Sequence, residues 1–279
     1  PIEIVHLNGL ATQPIIRHPR NLIVIEPDAK AIIVKQHSGQ DVGAYFTNAV
    51  TDINIGDDAM LKYYSVQSES RDATHLSTAN VRVGMNGSYE SFSLAVGGRL
   101  SRCETNLGLY DEGASCSIAG AYMMRGREHC DNTTVIDHFA PNTKSREVFK
   151  GVLDDEASGV FQGRIIVHNE AQGTDGYQLS KSLLLSDNAV MNAKPELEIY
   201  ADDVKCSHGA TTGQLDETSL FYLRSRGVPE ALARNLLVQS FLGEALDEIS
   251  DVAFRDKMLD YIVHRLPAHC FLAEEWVES

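Results

Sequence analysis

Short runs of β-branched and other apolar residues, cut by Gly, Asn and Asp, fill the chain from Ile2 to about Gly213. Examples are "NLIVIEPDAKAIIVKQHSG", "VTDINIGDD" and "NVRVGMNGSYESFSLAVGG". No helical period is sustained across these runs, so they predict strands joined by turns. Gly56, Gly84 and Gly108 recur in similar settings, at a spacing of roughly two dozen residues, which is in the range of one coil of a solenoid.

Two β architectures fit such a pattern, a sandwich or barrel and a parallel β-helix. A sandwich or barrel favours hairpins with clear two-residue turns, and this region has few of them. Parallel strands buried on both faces are instead continuous apolar runs, such as "IIV" from Ile165 to Val167 and "LLL" from Leu183 to Leu185. We therefore predict a mainly β fold in which residues 1–213 form a parallel β-helix.

After Gly213 the pattern changes to a helical period, and residues 214–279 predict a small C-terminal domain with three helices. Asp216 is placed to cap the first helix, and Gly227 suits the C-terminal end of that helix. Pro229 suits the first turn of the second helix.

The buried faces of these helices are predicted from apolar residues three and four positions apart. On the second helix the predicted face consists of Ala233, Leu236, Leu237 and Phe241. On the third helix, which follows Ser250 and is stopped by Pro267, it consists of Phe254, Met258 and Ile262. We expect the helical segment to cap one open end of the solenoid, because the unpaired backbone of that end must be covered.

Composition and missing motifs narrow the function. The 279 residues carry a formal net charge of −15, which repels phosphate backbones and argues against binding to nucleic acids. No apolar run is long enough to span a bilayer. Five cysteines without a C-x-x-C pair favour a reducing compartment over a disulfide framework. The sequence contains no P-loop, complete dinucleotide fingerprint, H-E-x-x-H or G-x-S-x-G motif, so it shows no common enzyme signature.

The segment "VKCSHGATTG" places Cys206 and His208 two residues apart in a predicted strand. Residues i and i+2 of a strand point to the same face, so a thiol and an imidazole project together. They could form half of a soft-metal site, or a pair in which the imidazole lowers the pKa of the thiol. They could equally be a buried cysteine beside a hydrogen-bonded histidine, and the spacing alone does not separate these alternatives.

Two stretches resemble the SufD branch of the SufB/SufD family, which takes part in iron–sulfur cluster assembly. They are "GRIIVHNEAQGTDGYQLSKSLLLSDNA" from Gly163 and "PELEIYADDVKCSHGATTGQLDETSLFYLRSRGVPEALARNLLVQSF" from Pro195. SufB-like sequences typically have His-Glu-Ala-Thr where this chain has Gly209 after the histidine, and a cysteine near the position of Ser180. Both departures favour the SufD branch.

The resemblance implies a right-handed parallel β-helix followed by a small helical domain. Family members generally also have an N-terminal helical domain, and nothing in this sequence corresponds to it. We therefore interpret the chain as the core and C-terminal part of such a protein.

The resemblance also implies partners and site residues. A SufD-like chain pairs with the paralogue SufB, and each of the two binds one copy of the ATPase SufC, which carries the P-loop and binds ATP. A nascent iron–sulfur cluster is expected at the SufB–SufD interface, where His208, accompanied by Cys206, contributes from this side; this chain alone is expected to bind no cofactor. His208 is the candidate metal ligand, in a set shared with SufB.

Contact with the ATPase is expected from the first C-terminal helix. Phe221 and Tyr222 would serve as apolar anchors, and Arg224 and Arg226 as ionic contacts. The alternative is that Phe221 and Leu223 simply cover the core of the β-helix.

The function expected from these features is that of a non-enzymatic scaffold in the cytoplasm, or in the plastid stroma if the source is a plant or alga. Two alternatives stay open: a secreted-type β-helix enzyme that acts on polysaccharide, and a homodimeric interaction protein with no cluster role. The cysteine pattern and the helical segment argue against the polysaccharide-acting enzyme.

Overall fold

The computed structural model describes residues 1–8, 15–39 and 43–266. In chain order, the strands of this part are β1 (Ile2–Asn8), β2 (Ile15–Arg17), β3 (Arg20–Ile25), β4 (Lys30–Gly39), β5 (Tyr45–Ile55), β6 (Met60–Ser68), β7 (Thr74–Val83), β8 (Ser88–Ala95), β9 (Leu100–Leu109), β10 (Ser115–Met124), β11 (His129–His138), β12 (Lys144–Leu153), β13 (Ser158–Val167), β14 (Thr174–Leu184), β15 (Val190–Ile199) and β16 (Val204–Gly213). They are followed by the helices α1 (Glu217–Ser225), α2 (Glu230–Leu246) and α3 (Val252–Arg265).

The strands alternate between two parallel sheets. Sheet A has the order β1-β4-β6-β8-β10-β12-β14-β16, and sheet B has the order β15-β13-β11-β9-β7-β5-β2, with β3 also pairing with β5. Each strand therefore pairs with the strand of the same sheet one coil away. The predicted parallel β-helix followed by C-terminal helices is confirmed.

Six successive corners, from the one between β3 and β4 to the one between β13 and β14, each use a residue with left-handed backbone, and these residues show the true repeat. They stand 27 to 31 positions apart: Asp28, Asp58, Asn86, Gly113, Asn142 and Gly173. Asp, Asn and Gly are the residue types that adopt this conformation at least cost. The predicted coil of roughly two dozen residues is too short, because each coil holds one strand of about ten residues in both sheets as well as two corners.

The core lies between the two sheets. An aliphatic column crosses sheet B in register, formed by Ile53, Val81, Leu107, Ile136 and Ile165. Each of these side chains is at most 4% exposed. Because neighbouring coils supply the contacts, each coil is stabilised by the coils above and below it.

Helices α2 and α3 pack on the outer face of sheet A. The ring of Phe254 on α3 stacks on Tyr64 of β6 with 4.3 Å between centroids. Arg146 of β12 forms an ion pair with Glu248 at 2.6 Å, and Lys150 of the same strand is paired with Glu244 of α2. Instead of capping an end of the solenoid as expected, α2 and α3 lie along its side.

The predicted helix boundaries agree closely with the structure. Asp216 caps α1 by accepting hydrogen bonds from the N–H groups of Thr218 and Ser219. Gly227, with φ of +88°, follows the C-cap of α1 as predicted. Pro229 is itself the N-cap of α2, one position before the first helical turn.

The predicted faces were right for α3 and partly wrong for α2. Phe254, Met258 and Ile262 are all buried, as predicted. On α2 the fully buried set is Ala233, Val238, Leu242, Ala245 and Leu246. Leu236 is 42% exposed, so the prediction that it faces the core is wrong. The reason is that α2 packs through a face rotated from the predicted one. Pro267 lies outside the described residues.

Candidate functional site

The last coil ends in an open sheet edge. In the described part of the chain, β16 pairs with β14 alone, so its other edge has no strand partner. Such an edge is available to another chain unless something covers it. Cys206 and His208 lie on this edge strand.

The two residues differ in burial. Cys206 is half-buried and packs against the hydrophobic core between the sheets, whereas His208 is exposed. Alternation along the strand turns both side chains toward the same face. His208 is thus accessible to a neighbouring chain, in contrast to a histidine buried in the core.

Cys206 occupies space that a glycine provides. In register, Cys206 lies opposite Gly176 of β14. A Cβ atom at Gly176 would stand 3.2 Å from Cys206 Sγ. Burial raises the pKa of the Cys206 thiol, and a backbone hydrogen bond from Gly176 only partly opposes this. The isolated chain therefore does not favour the alternative in which the imidazole lowers the pKa of the thiol.

A polar column that the sequence did not reveal leads to His208. Glu147 of β12 is in register with Gln178 of β14, which is in register with His208. Gln178 Nε2 donates to Glu147 Oε2 at 2.6 Å, and Thr134 Oγ1 donates to Glu147 Oε1 at 2.5 Å. The side chains of Glu147 and Gln178 are fully buried.

Burial sets the protonation of this column. Burial raises the pKa of Glu147 to about 7, although the hydrogen bonds from Thr134 and Gln178 act in the opposite direction. The column therefore holds a carboxyl group, that of Glu147, which changes charge near neutral pH. Glu147 lies two strands from His208 in sheet A, with Gln178 between them. No sequence motif marks Glu147, because its link to His208 depends on the register of three coils.

Apolar side chains are exposed on the last coil beside β16. They are Val190 at 50%, Ile199 at 41% and Tyr200 at 60%. Val190 and Ile199 belong to β15, which is the last strand of sheet B. Exposed apolar residues grouped at the end of a solenoid are typical of a protein interface.

The candidate ATPase-binding residues lie on α1 and its C-cap. Phe221 and Tyr222 are 72% and 57% exposed, while Leu220 of the same helix is buried. The guanidinium of Arg226 lies 5.3 Å from the centre of the Tyr222 ring. Arg224 contacts Glu230 at 3.4 Å. Phe221 therefore does not cover the β-helix core, and both aromatic rings are available to a partner.

Within the described part of the chain, no helix is long and apolar enough to cross a membrane.

Comparison with known proteins gives consistent matches. Residues 8–241 match the family described as "SUF system FeS cluster assembly, SufBD core domain". An iron–sulfur cluster assembly SufBD family protein of Synechocystis is 34% identical over 89% of this chain and 57% of its own length. The iron–sulfur cluster assembly protein SufD of Escherichia coli is 31% identical over 96% of this chain and 64% of its own length. The chloroplastic protein ABCI7 of Arabidopsis thaliana is 32% identical over 88% of this chain and 52% of its own length.

The chain thus spans between 52% and 64% of the length of these relatives. The family match covers all strands from β2 onward and most of α2. On this match, together with the parallel β-helix and its C-terminal helices, the chain belongs to the SufBD core family of the SUF iron–sulfur cluster assembly system.

Proposed function

We propose that this chain is a non-enzymatic scaffold of SUF iron–sulfur cluster assembly that pairs with a SufB-like subunit through its last coil. Family membership supports an assembly role over the polysaccharide-acting alternative. The observation that carries the proposal is the exposure of His208 on β16, whose outer edge has no strand partner among the described residues, beside the half-buried thiol of Cys206.

A cluster site divided between two chains fits this geometry. A thiol and an imidazole are ligands for iron and other borderline or soft metals, but two ligands do not complete a stable site. The remaining ligands would come from the SufB-like subunit docked at the open edge. The nascent cluster is the cargo of such a site, and this chain alone would not retain it.

The exposed rings of Phe221 and Tyr222 support a second contact, with a SufC-like ATPase. Aromatic and Arg side chains are enriched among the residues that dominate binding energy at interfaces. In this proposal the ATPase binds ATP and this chain does not. Closure of two ATPase subunits on ATP would move the two β-helices, and a ligand set divided between them would open for loading and transfer.

Co-expression tests the cluster site. The chain, with His208→Ala or without it, is produced together with the SufB-like and SufC-like partners, and cluster formation is followed by visible absorption. His208→Ala should leave the complex intact and abolish cluster formation. His18→Ala, which removes an exposed histidine near the other end of the solenoid, is the matched control and should change neither. Unchanged cluster formation in His208→Ala would contradict the proposal.

Pull-down tests the ATPase contact. The double variant Phe221→Ala, Tyr222→Ala should lose retention of the ATPase while keeping the fold, because both rings are mainly exposed. Leu236→Ala removes an exposed apolar side chain from α2 and should retain the ATPase. Equal retention by the double variant and the control would place the contact elsewhere.

Co-expression and pull-down also test the remaining alternative, a homodimeric interaction protein. A chain that forms a stable homodimer and ignores both partners would be an interaction protein without a cluster role. In the proposal, homodimers form only when the SufB-like partner is missing. The proposed compartment is the cytoplasm, or the plastid stroma in a plant or alga, and fractionation of the source cells tests it.

A further inference from the structure

A second cluster of metal-ligating side chains lies inside the solenoid, far from Cys206 and His208. It consists of His37 on β4, Glu69 just after β6 and His75 on β7. One ligand atom of each residue lies within 4.8 Å of those of the other two, and all three residues are buried. Six strand-to-strand steps of sheet A separate β4 from β16, which is about 29 Å at ~4.8 Å per step.

His37 has polar atoms that the protein itself does not satisfy. It is 2% exposed, and neither ring nitrogen has a hydrogen-bond partner among the described residues. Its ring is stacked on His6 at 4.4 Å between centroids and meets the ring of His75 at 4.7 Å. Burying unpartnered polar groups costs free energy, and an ion or a water molecule bound to them would offset that cost.

His138 is a buried histidine in the same fold whose two ring nitrogens both have hydrogen-bond partners. Its Nδ1 is 2.7 Å from Thr143 Oγ1, and its Nε2 is 2.9 Å from Ser145 Oγ. Both nitrogens are therefore used by the polypeptide. The contrast with His37 indicates that burial in this solenoid does not by itself leave imidazole nitrogens unpaired.

Glu69 is held in place by its neighbours. Its Oε1 accepts hydrogen bonds from Asn8 Nδ2 at 2.7 Å and Thr47 Oγ1 at 3.0 Å. Its Oε2 is 2.6 Å from His75 Nδ1. This is a direct contact between the two side chains, and they would move slightly apart around an ion, because two ligands of one ion at ~2.1 Å stand about 3 Å apart. Outer hydrogen bonds of this kind orient metal-ligating carboxylates.

Burial and the neighbouring groups set the protonation of two of these side chains. Burial, assisted by the neighbouring His75 and Lys35, lowers the pKa of His37 to about 2, so this imidazole is neutral. Burial opposes ionisation of Glu69, but contacts with His75 and Thr47 outweigh it and lower the pKa of the carboxyl. Metal ligands must be deprotonated, so an ion bound here would displace the proton that His75 shares with Glu69.

We propose that His37, Glu69 and His75 form a binding site for one divalent first-row transition-metal ion. Two imidazoles and one carboxylate are ligands for Fe²⁺, Co²⁺ and Zn²⁺, whereas Mg²⁺ and Ca²⁺ prefer oxygen ligands alone. Three protein ligands leave coordination positions open for water or another small molecule.

Two cavities border this site. His37 and His75 line an interior cavity of about 70 Å³ between the sheets. Glu69 lines a larger cavity of about 440 Å³ between the solenoid and α2, together with Arg234 and Val238. Glu69 is thus the member of the cluster that borders a space wide enough for hydrated ions.

Titration with Co²⁺ and Zn²⁺ tests the proposal on the full chain after treatment with a chelator. Co²⁺ binding is followed by its visible absorption, and Zn²⁺ binding by calorimetry. The wild-type chain should bind one ion, and His37→Gln, His75→Gln and Glu69→Gln should each weaken binding at least about 100-fold. Circular dichroism verifies that each variant is folded. A wild-type chain that binds neither ion, or a His37→Gln variant with wild-type affinity, would overturn the proposal.

Two further variants keep this site distinct from the proposed interface. His138→Gln, the matched control at a satisfied buried histidine, should leave affinity unchanged. The pair Cys206→Ser, His208→Ala removes the candidate ligands on β16 and should also leave one ion bound. If that pair abolishes binding while His37→Gln does not, the ion belongs to β16, and the inner site is refuted while the proposed function stands. Failure of cluster assembly with the ion still bound would refute only the proposed function.

Discussion

Replacing Glu147 with Gln should remove a pH-dependent penalty on the stability of the folded chain. Gln has nearly the same shape as Glu, and its carbonyl oxygen can accept from Gln178 as the carboxylate does. The hydroxyl of Thr134 can turn from donor to acceptor for the new amide group. The substitution therefore changes the charge while keeping the contacts of the column below His208.

The magnitude follows from the pKa. Glu147 has a pKa of about 7 in the folded chain, against an ordinary value of 4.5. At about 1.4 kcal/mol per pKa unit, the difference corresponds to about 3 kcal/mol. Between these pH values the folded chain binds a proton that the unfolded chain has released, so the free energy of unfolding falls as pH rises through this interval. The penalty is absent below pH 4.5 and complete above pH 7.

Urea-induced unfolding, followed by circular dichroism from about pH 4 to about pH 8.5, measures this effect. The stability of Glu147→Gln relative to wild type should increase by about 3 kcal/mol across the interval and then level off. The control Glu156→Gln alters a surface carboxylate paired with Arg127 at 2.9 Å and should change stability by less than about 1 kcal/mol at each pH. A Glu147→Gln difference that does not vary with pH would refute a buried, protonated carboxyl at this position.

Three further predictions concern single contacts. Gly176→Ala places a methyl group 3.2 Å from Cys206 Sγ, and we expect the thiol to shift toward the open edge. Alkylation of this thiol by iodoacetamide, measured by peptide mass spectrometry, should then become about two- to tenfold faster. An unchanged or slower rate would contradict the packing. Tyr64→Phe removes a hydrogen bond to Glu90 of 2.7 Å and should lower the free energy of unfolding in urea by about 1–3 kcal/mol; no loss would show that the hydroxyl contributes nothing. Asp216→Ala removes the N-cap of α1, which should destabilise that helix by about 1 kcal/mol. Amide hydrogen exchange should become faster in α1 and stay unchanged in the strands. An exchange rate in α1 equal to that of the wild-type chain would contradict the capping role.

The sequence by itself determined the type of each segment. Runs of β-branched residues ended by Gly, Asn and Asp predicted strands, and the rarity of two-residue turns favoured parallel pairing over hairpins. Asp216 and Gly227 marked the ends of α1, because caps depend on residues a few positions away. The motif around Cys206 and His208 also indicated the family, since it is contiguous in the chain.

Tertiary structure decided which residues meet across coils. The column from Glu147 through Gln178 to His208 joins residues about thirty positions apart, and only the strand register places them in line. The cluster of His37, Glu69 and His75 likewise depends on two sheets facing each other. Tertiary structure also decided where the helices pack beside sheet A and that Leu236 is exposed. The reason is that a helix presents several apolar stripes, and packing selects one of them. Local patterns fix local conformation, whereas contacts between coils depend on the stacking of the whole solenoid.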